Sequence, residues 1–356
     1  MNIQKLANVG GISNITRYIN MLTSNNPFLS TTTTNILLSS TKSPYINAWT
    51  WDNGIGSKYA DPASLPSLYL YNYRWNPAKN AVLGADYTNG LSGYPWSAGF
   101  GTKYSNPSVA PGGTINSFAM SADGSTVYVG SGSTPWISAY PFSNVTGFGT
   151  KYANPSTLPT GSFYGAYAID VKDNDTVFFA VGNTSPGVYA YAWSSGWGSK
   201  YADPATVASS GASDVSYNAS AGAVAYAAST SYVYPWSAGF GTKYADPASG
   251  FFGNNVLFHT SGQSIVSSYS LSNPYMQSWA WSAGFGTKHA NTAGITGATF
   301  LRNTAVFSDD GKIFGIGFDY SSPYYALYSY TSTSGFGFKY AVPTYSTGPT
   351  YSIAFS

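Results

Sequence analysis

The chain has 356 residues and is 43% hydrophobic, enough for a sizeable core. Only 8% of its residues are charged, against ~25% in an ordinary soluble domain, and Glu is absent. A net charge of +2 with no basic run excludes a phosphate-backbone footprint, and the lack of Cys excludes disulfides and thiolate chemistry.

In chain order, residues 1–34 form an N-terminal arm that lies outside any repeat. Ile12, Ile15, Ile19 and Leu22 are spaced three, four and three apart, which predicts one stripe of a short helix. Ser24-Asn25-Asn26-Pro27 stops it. Two readings stay open: a helix packed on the body, or an anchor that docks on a partner or on copies of itself. The segment lacks the apolar core of a secretory signal, and no apolar run approaches the ~20 residues of a membrane span.

From Asn35 to Ser356 the chain repeats. Trp96–Tyr104 reads W-S-A-G-F-G-T-K-Y and recurs unchanged at Trp236–Tyr244. Edited copies stand at Trp51–Tyr59, Phe142–Tyr152, Trp193–Tyr201, Trp281–His289 and Tyr330–Tyr340. Their lysines, Lys58, Lys103, Lys151, Lys200, Lys243, Lys288 and Lys339, are 43 to 51 residues apart. That period, with 39 Gly, 20 Pro and abundant aromatic and β-branched residues, predicts four-stranded blades rather than helical repeats.

One unit divides into strands over Ile115–Ser121, Thr126–Gly130, Ile137–Phe142 and Gly147–Tyr152, with a hairpin at Asp123-Gly124. Other first strands fall at Leu68–Trp75, Tyr164–Asp170, Ala212–Tyr217, Asn254–Thr260 and Val306–Ser308. The chain begins with strands two to four of a blade and ends with a lone first strand, Tyr351–Ser356. The expected fold is therefore an all-β, seven-bladed β-propeller over 35–356, its ring closed by the C-terminal strand joining the N-terminal blade. An excess at Ile295–Asn303 is expected to bulge from one face.

Within the motif, Gly permits the turn into the outer strand and the aromatics pack between blades. The lysine lays its stem over a ring, and Asp or Asn before Pro caps a turn. A purely structural role accounts for every position. The alternative is a set of equivalent pockets for a sugar or anion, built from Trp96, Lys103, Tyr104, Trp193, Lys200, Tyr201, Trp236, Lys243, Tyr244, Trp281 and Lys288.

Catalytic signals are sparse. His259 and His289 have no Ser or Asp partner at a recognisable spacing. No cluster has the composition of a zinc site, and Asp170, Asp173 and Asp175 lack the glycine and terminal acid of a calcium loop. A hydrolytic site would need carboxylates facing the central funnel, and Asp170 and Asp214 on adjacent first strands are the main candidates. No cofactor, metal or catalytic residue is assigned.

The blade length, D-G hairpin and ring closure resemble WD-type seven-bladed propellers, although the W-D and G-H signatures are missing. The G-F-G-T-K-Y-A-D-P repeat resembles one common in proteins of tailed bacteriophages, including virion proteins. That resemblance implies a non-enzymatic virion protein for capsid decoration or host-surface attachment, made in the host cytoplasm. Its arm would hold it to other capsid or tail proteins and its propeller would face host glycans, with a homo-oligomer left open. The alternatives are a soluble carbohydrate-binding propeller and, behind it, a hydrolase at the central channel.

Overall fold

A computed structural model describes residues 34–68, 70–86, 90–159, 166–182, 185–228, 230–248, 250, 253–269, 275–291, 304–318, 324–342 and 348–356. The expectations for the arm, including Ile12, Ile15, Ile19 and Leu22, and for the excess at 295–303 lie outside those residues. The described residues form 26 strands and no helix, in seven antiparallel sheets.

Blade 1 is β26 (Ile353–Phe355), β1 (Asn35–Ser39), β2 (Ile46–Trp51) and β3 (Ile55–Lys58), in that order. Leu37 pairs with Ala354, so the last strand closes the ring against the first, as expected. Blade 2 is β4 (Leu70–Trp75), β5 (Ala81–Asp86) and β6 (Leu91–Pro95). Blade 3 is β7 (Ile115–Met120), β8 (Thr126–Ser131), β9 (Ile137–Ser143) and β10 (Gly147–Phe148). Blade 4 is β11 (Ala166–Lys172), β12 (Thr176–Val181), β13 (Val188–Trp193) and β14 (Trp197–Lys200). Blade 5 is β15 (Asp214–Asn218), β16 (Ala223–Ala227) and β17 (Ser231–Pro235). Blade 6 is β18 (Asn255–Phe258), β19 (Ser264–Ser268), β20 (Met276–Trp281) and β21 (Phe285–Lys288). Blade 7 is β22 (Val306–Phe307), β23 (Ile313–Gly317), β24 (Tyr325–Thr331) and β25 (Gly335–Lys339).

The outer strands are shorter than the sequence pattern suggests. β10 has two residues, and in blades 2 and 5 the fourth strand shrinks to single bridges, Trp96 with Phe100 and Trp236 with Phe240. The motif is a bulged hairpin rather than a full strand. Lysine pairing is offset from aromatic pairing by a register shift, as at Trp49/Trp51 and Trp279/Trp281. Blades 3 and 7 use a longer hairpin whose glycine does meet its neighbour. Gly147, at φ +79°, would place a Cβ 2.7 Å from Tyr104 Cβ of blade 2. Gly101 instead clears Pro95 of its own blade.

The motif tyrosine holds the ring together. In each case it meets edge-on the aromatic that opens the next blade's motif. The pairs are Tyr59–Trp96 (5.0 Å), Tyr104–Phe142 (5.7 Å), Tyr152–Trp193 (5.0 Å), Tyr201–Trp236 (5.1 Å), Tyr244–Trp281 (5.1 Å) and, across the closure, Tyr340–Trp51 (5.1 Å). Edge-to-face rings add about 0.5–1.5 kcal/mol each beyond the burial of their area. The seventh seam, blade 6 to blade 7, carries His289 in place of tyrosine.

Candidate functional site in the central channel

The first strand of every blade lines the axis. Its outward N–H groups find no strand to pair with, and a buried N–H needs an acceptor. Side chains supply them in one rotational sense. Asp170 Oδ2 accepts from Tyr217 N (2.7 Å), Asp214 Oδ2 from Val256 N (3.0 Å) and Ser216 Oγ from Phe258 N (3.2 Å). Asn255 Oδ1 accepts from Thr304 N (2.9 Å) and Ser352 Oγ from Tyr73 N (2.8 Å). Each acceptor stands on one blade and its donor on the next.

These strands enclose a cavity of about 290 Å³ whose walls include Asn72, Arg74, Asp170, Asp214, Thr304 and Phe307. Arg74, on β4, is half-buried. Its charge reaches both carboxylates, although no hydrogen bond or ion pair engages its guanidinium among the described residues. Asp214 is 5% exposed. Burial pushes its carboxyl up to about 8 despite the N–H bonds from Val256 and Val215, and the Asp170 charge pushes the same way. Burial likewise raises Asp170, opposed by the Tyr217 N–H, by Arg74 and by the Val171 N–H. The cavity thus holds a cation without a hydrogen-bond partner among the described residues beside two carboxyl groups raised by burial, of which Asp214 retains its proton at neutral pH.

One mouth of the channel is marked by an ion pair. In blade 1, Ser356 and Asn35, which are not consecutive in sequence, stand where other blades have their first hairpin. Asn35 N donates to Ser356 Oγ (2.9 Å) there. Across that gap Lys79 of blade 2 reaches Asp309 of blade 7 at 2.8 Å, and its Nζ donates to Phe355 O at 3.4 Å.

The motif residues predicted as pockets lie on the outer rim, away from this cavity. Trp96, Trp193, Trp236 and Trp281 are buried wedges. Three lysines sit over rings, but over those of the preceding strand rather than the motif aromatics expected: Lys200 over Tyr189, Lys243 over Tyr232 and Lys288 over Trp279, at 5.1, 5.3 and 5.6 Å. The acids before proline differ from expectation. Asp61, Asp203 and Asp246 pair with the lysine three residues earlier, at 2.7, 2.5 and 2.5 Å. Lys103 and Lys151 face Asn106 and Asn154 at that offset and have no such pair. Tyr244 and Lys288 do come together in a shallow groove of about 590 Å³ with Phe285 and Asp246, beneath which Trp281 is covered. Tyr104 and Tyr201 pack into their seams.

Asp170 and Asp214 were visible from their first-strand positions. The only signals for Arg74 in the sequence are that it is one of only three arginines and stands in a first strand of a chain with few charges. No cluster of three or more His, Cys, Asp or Glu that would hold a metal occurs among the described residues.

No protein-family model matches the chain, nor does any curated protein sequence. Solved structures match at the level of fold. A Bacteroides uniformis protein with the provisional name 6-phosphogluconolactonase has a TM-score of 0.64 at 11% identity, over 91% of this chain and 99% of its own. A Lactobacillus plantarum protein has a TM-score of 0.69 at 13% identity, over 91% and 99%. A Desulfotomaculum acetoxidans protein of unknown function has a TM-score of 0.63 at 10% identity, over 90% and 98%. These likenesses are to the seven-bladed architecture. They support neither the WD-type nor the bacteriophage resemblance beyond that level. The expectation of a non-enzymatic virion or adhesion protein is overturned: the Bacteroides uniformis neighbour is named for a lactonase, and none of these three is named for a virion.

Proposed function

We propose that this propeller is a hydrolase-type enzyme acting on a small anionic ester or lactone bound in the central channel. The observation that carries the reading is the Arg74 guanidinium, without a hydrogen bond or ion pair among the described residues, lining one cavity with the half-buried Asp170 and the buried Asp214. Perturbed carboxyls of this kind concentrate at reactive sites. The lactonase name of the Bacteroides uniformis neighbour supports the same reaction class.

In this reading Arg74 binds the substrate's anionic group or the developing oxyanion. Asp170, as carboxylate, takes a proton from water while the water oxygen forms a bond to the carbonyl carbon. Asp214, protonated at neutral pH, gives its proton to the leaving alkoxide as the carbon–oxygen bond breaks. The products are a hydroxyl and a carboxylic acid, which ionises and releases its proton to solvent. Proton exchange between the two carboxyls restores the starting state.

One observation favours a second reading. All four carboxylate oxygens accept main-chain N–H bonds, from Val171, Tyr217, Val215 and Val256. On that reading the carboxyls only staple the blades, and the channel binds an anion without reacting. A panel of δ-lactones with and without a phosphate or carboxylate, followed by proton release, separates the two. The enzyme reading expects hydrolysis that Asp214→Asn cuts by at least about 100-fold and an Arg74→Gln loss seen mainly in KM. Absence of hydrolysis across the panel defeats it, and calorimetric binding of the same acids that Arg74→Gln abolishes would leave the second reading.

A further inference from the structure

Both histidines of the chain lie on one seam, between blades 6 and 7. His259 follows β18. It holds the first-hairpin position that is Asn76 in blade 2, Ser121 in blade 3 and Ser308 in blade 7: in all four the main-chain N–H donates to the carbonyl five residues on. Its Nδ1 accepts from Ser261 N (3.2 Å), so Nε2 carries the hydrogen and donates to Gly311 O of blade 7 (3.1 Å). Its ring stacks on Tyr330 (5.5 Å, 27°) and meets Phe307 edge-on (5.1 Å). His289 stands where the other six motif copies have tyrosine. Its Nδ1 lies 2.7 Å from Ser278 Oγ, which lies 2.6 Å from Tyr330 OH. Tyr330 OH also donates to Ser264 Oγ (2.9 Å). Its Nε2 is buried without a hydrogen bond among the described residues. Tyr330 of blade 7 is therefore tied to both imidazoles of blade 6, to His259 by stacking and to His289 through the Ser278 hydroxyl.

We infer that the blade 6–7 seam is an acid-sensitive joint: protonation of His259 and His289 loosens blade 7 from blade 6 and opens the ring there. A second proton on His259 must sit on Nδ1, where it displaces the Ser261 N–H and reverses the bond with Ser261 Oγ, 2.7 Å away. On His289 it creates a buried imidazolium in an aromatic seam, with no acid among the described residues to meet it. The groups facing His259 from neighbouring elements are Asp310, Tyr330, Ser261 and Gly311. Asp310 favours the charged ring and so opposes the effect, while Lys312, 4.0 Å from Asp310, offsets it. Around His289 the polar groups are Ser278 and the Tyr330 hydroxyl, and blade 7 backbone presses on it at Gly335. Burial holds both imidazoles below the ordinary histidine value.

The sign follows. The closed seam takes up protons less readily than the open one. Stability of the joint is present above about pH 6.5 and falls as pH drops below it, by up to about tenfold in the opening equilibrium per pH unit for each histidine. The inference stands apart from the chemistry of the channel.

Hydrogen exchange of the full chain at pH 7.5 and 5.5, corrected for intrinsic rates, tests it. The expected result is at least about tenfold faster exchange at pH 5.5 in peptides covering β18, β19, β23 and β24, with no such rise at the Tyr201–Trp236 seam. A double variant, His259→Asn with His289→Tyr, restores residues that other blades use and is expected to lose the rise. Exchange at the 6–7 seam that is indifferent to pH in the unaltered protein, or a rise that persists in the double variant, overturns the inference.

Discussion

Trp236→Ala probes the claim that the repeated motif is a wedge between blades. Trp236 is 6% exposed and touches three rings: Phe178 at 4.7 Å and Tyr201 at 5.1 Å on blade 4, and Phe240 at 5.0 Å on its own hairpin. A buried indole removes about 200 Å² from water, worth about 5 kcal/mol at 25 cal/mol per Å². Alanine recovers little of it, and a packed ring of aromatics collapses poorly into the void. The expected loss is about 3–5 kcal/mol. Urea denaturation reads it as a lower midpoint, and Trp236→Phe is expected to recover more than half. A loss below about 1 kcal/mol would refute the wedge, and a loss of ligand affinity at unchanged stability would return the motif to a binding role.

Three more outcomes follow from the same structure. Asp214 has a folded-state value near 8, above its unfolded one near 4, so its stabilising effect is full below pH 4 and lost as pH rises towards 8. Asp214→Asn removes that slope from a plot of unfolding free energy against pH, whatever it does to the absolute value. Gly147→Ala combines a left-handed φ of +79° with a 2.7 Å approach to Tyr104 and is expected to cost about 2 kcal/mol in the same denaturation assay. Asp203→Asn puts into blade 4 what blades 2 and 3 already carry. Its pair with Lys200 is partly exposed, so the expected cost is under about 0.5 kcal/mol.

The fold was readable because its signals repeat. A 43–51-residue period, a turn at Asp123-Gly124 and a stranded last strand are each weak alone, but seven copies with one frame-shifted end admit a single closed ring. Finer features depend on neighbours in space. The stub at Gly147–Phe148 looks as long as any other fourth strand in sequence, but only two of its residues pair. Asp203 turns to Lys200 rather than over its own turn. The site was half legible. Alternation and blade position put Asp170 and Asp214 at the axis. Arg74 sits two blades from Asp170, and no local pattern links them until the ring closes. The rim motif drew attention because it is repeated, but repetition here reflects seven similar seams, and the channel is built from the positions where blades differ.

The account of the channel rests on a proton held by Asp214 at neutral pH. Difference infrared spectroscopy of the native protein against Asp214→Asn reads that proton as a carboxylic-acid carbonyl band. The account predicts a band present at pH 6.5 in the native protein, absent in the variant, and fading as pH passes about 8. A native spectrum that shows only ionised carboxylate at pH 6.5 would contradict it and leave Asp214 as a staple between blades.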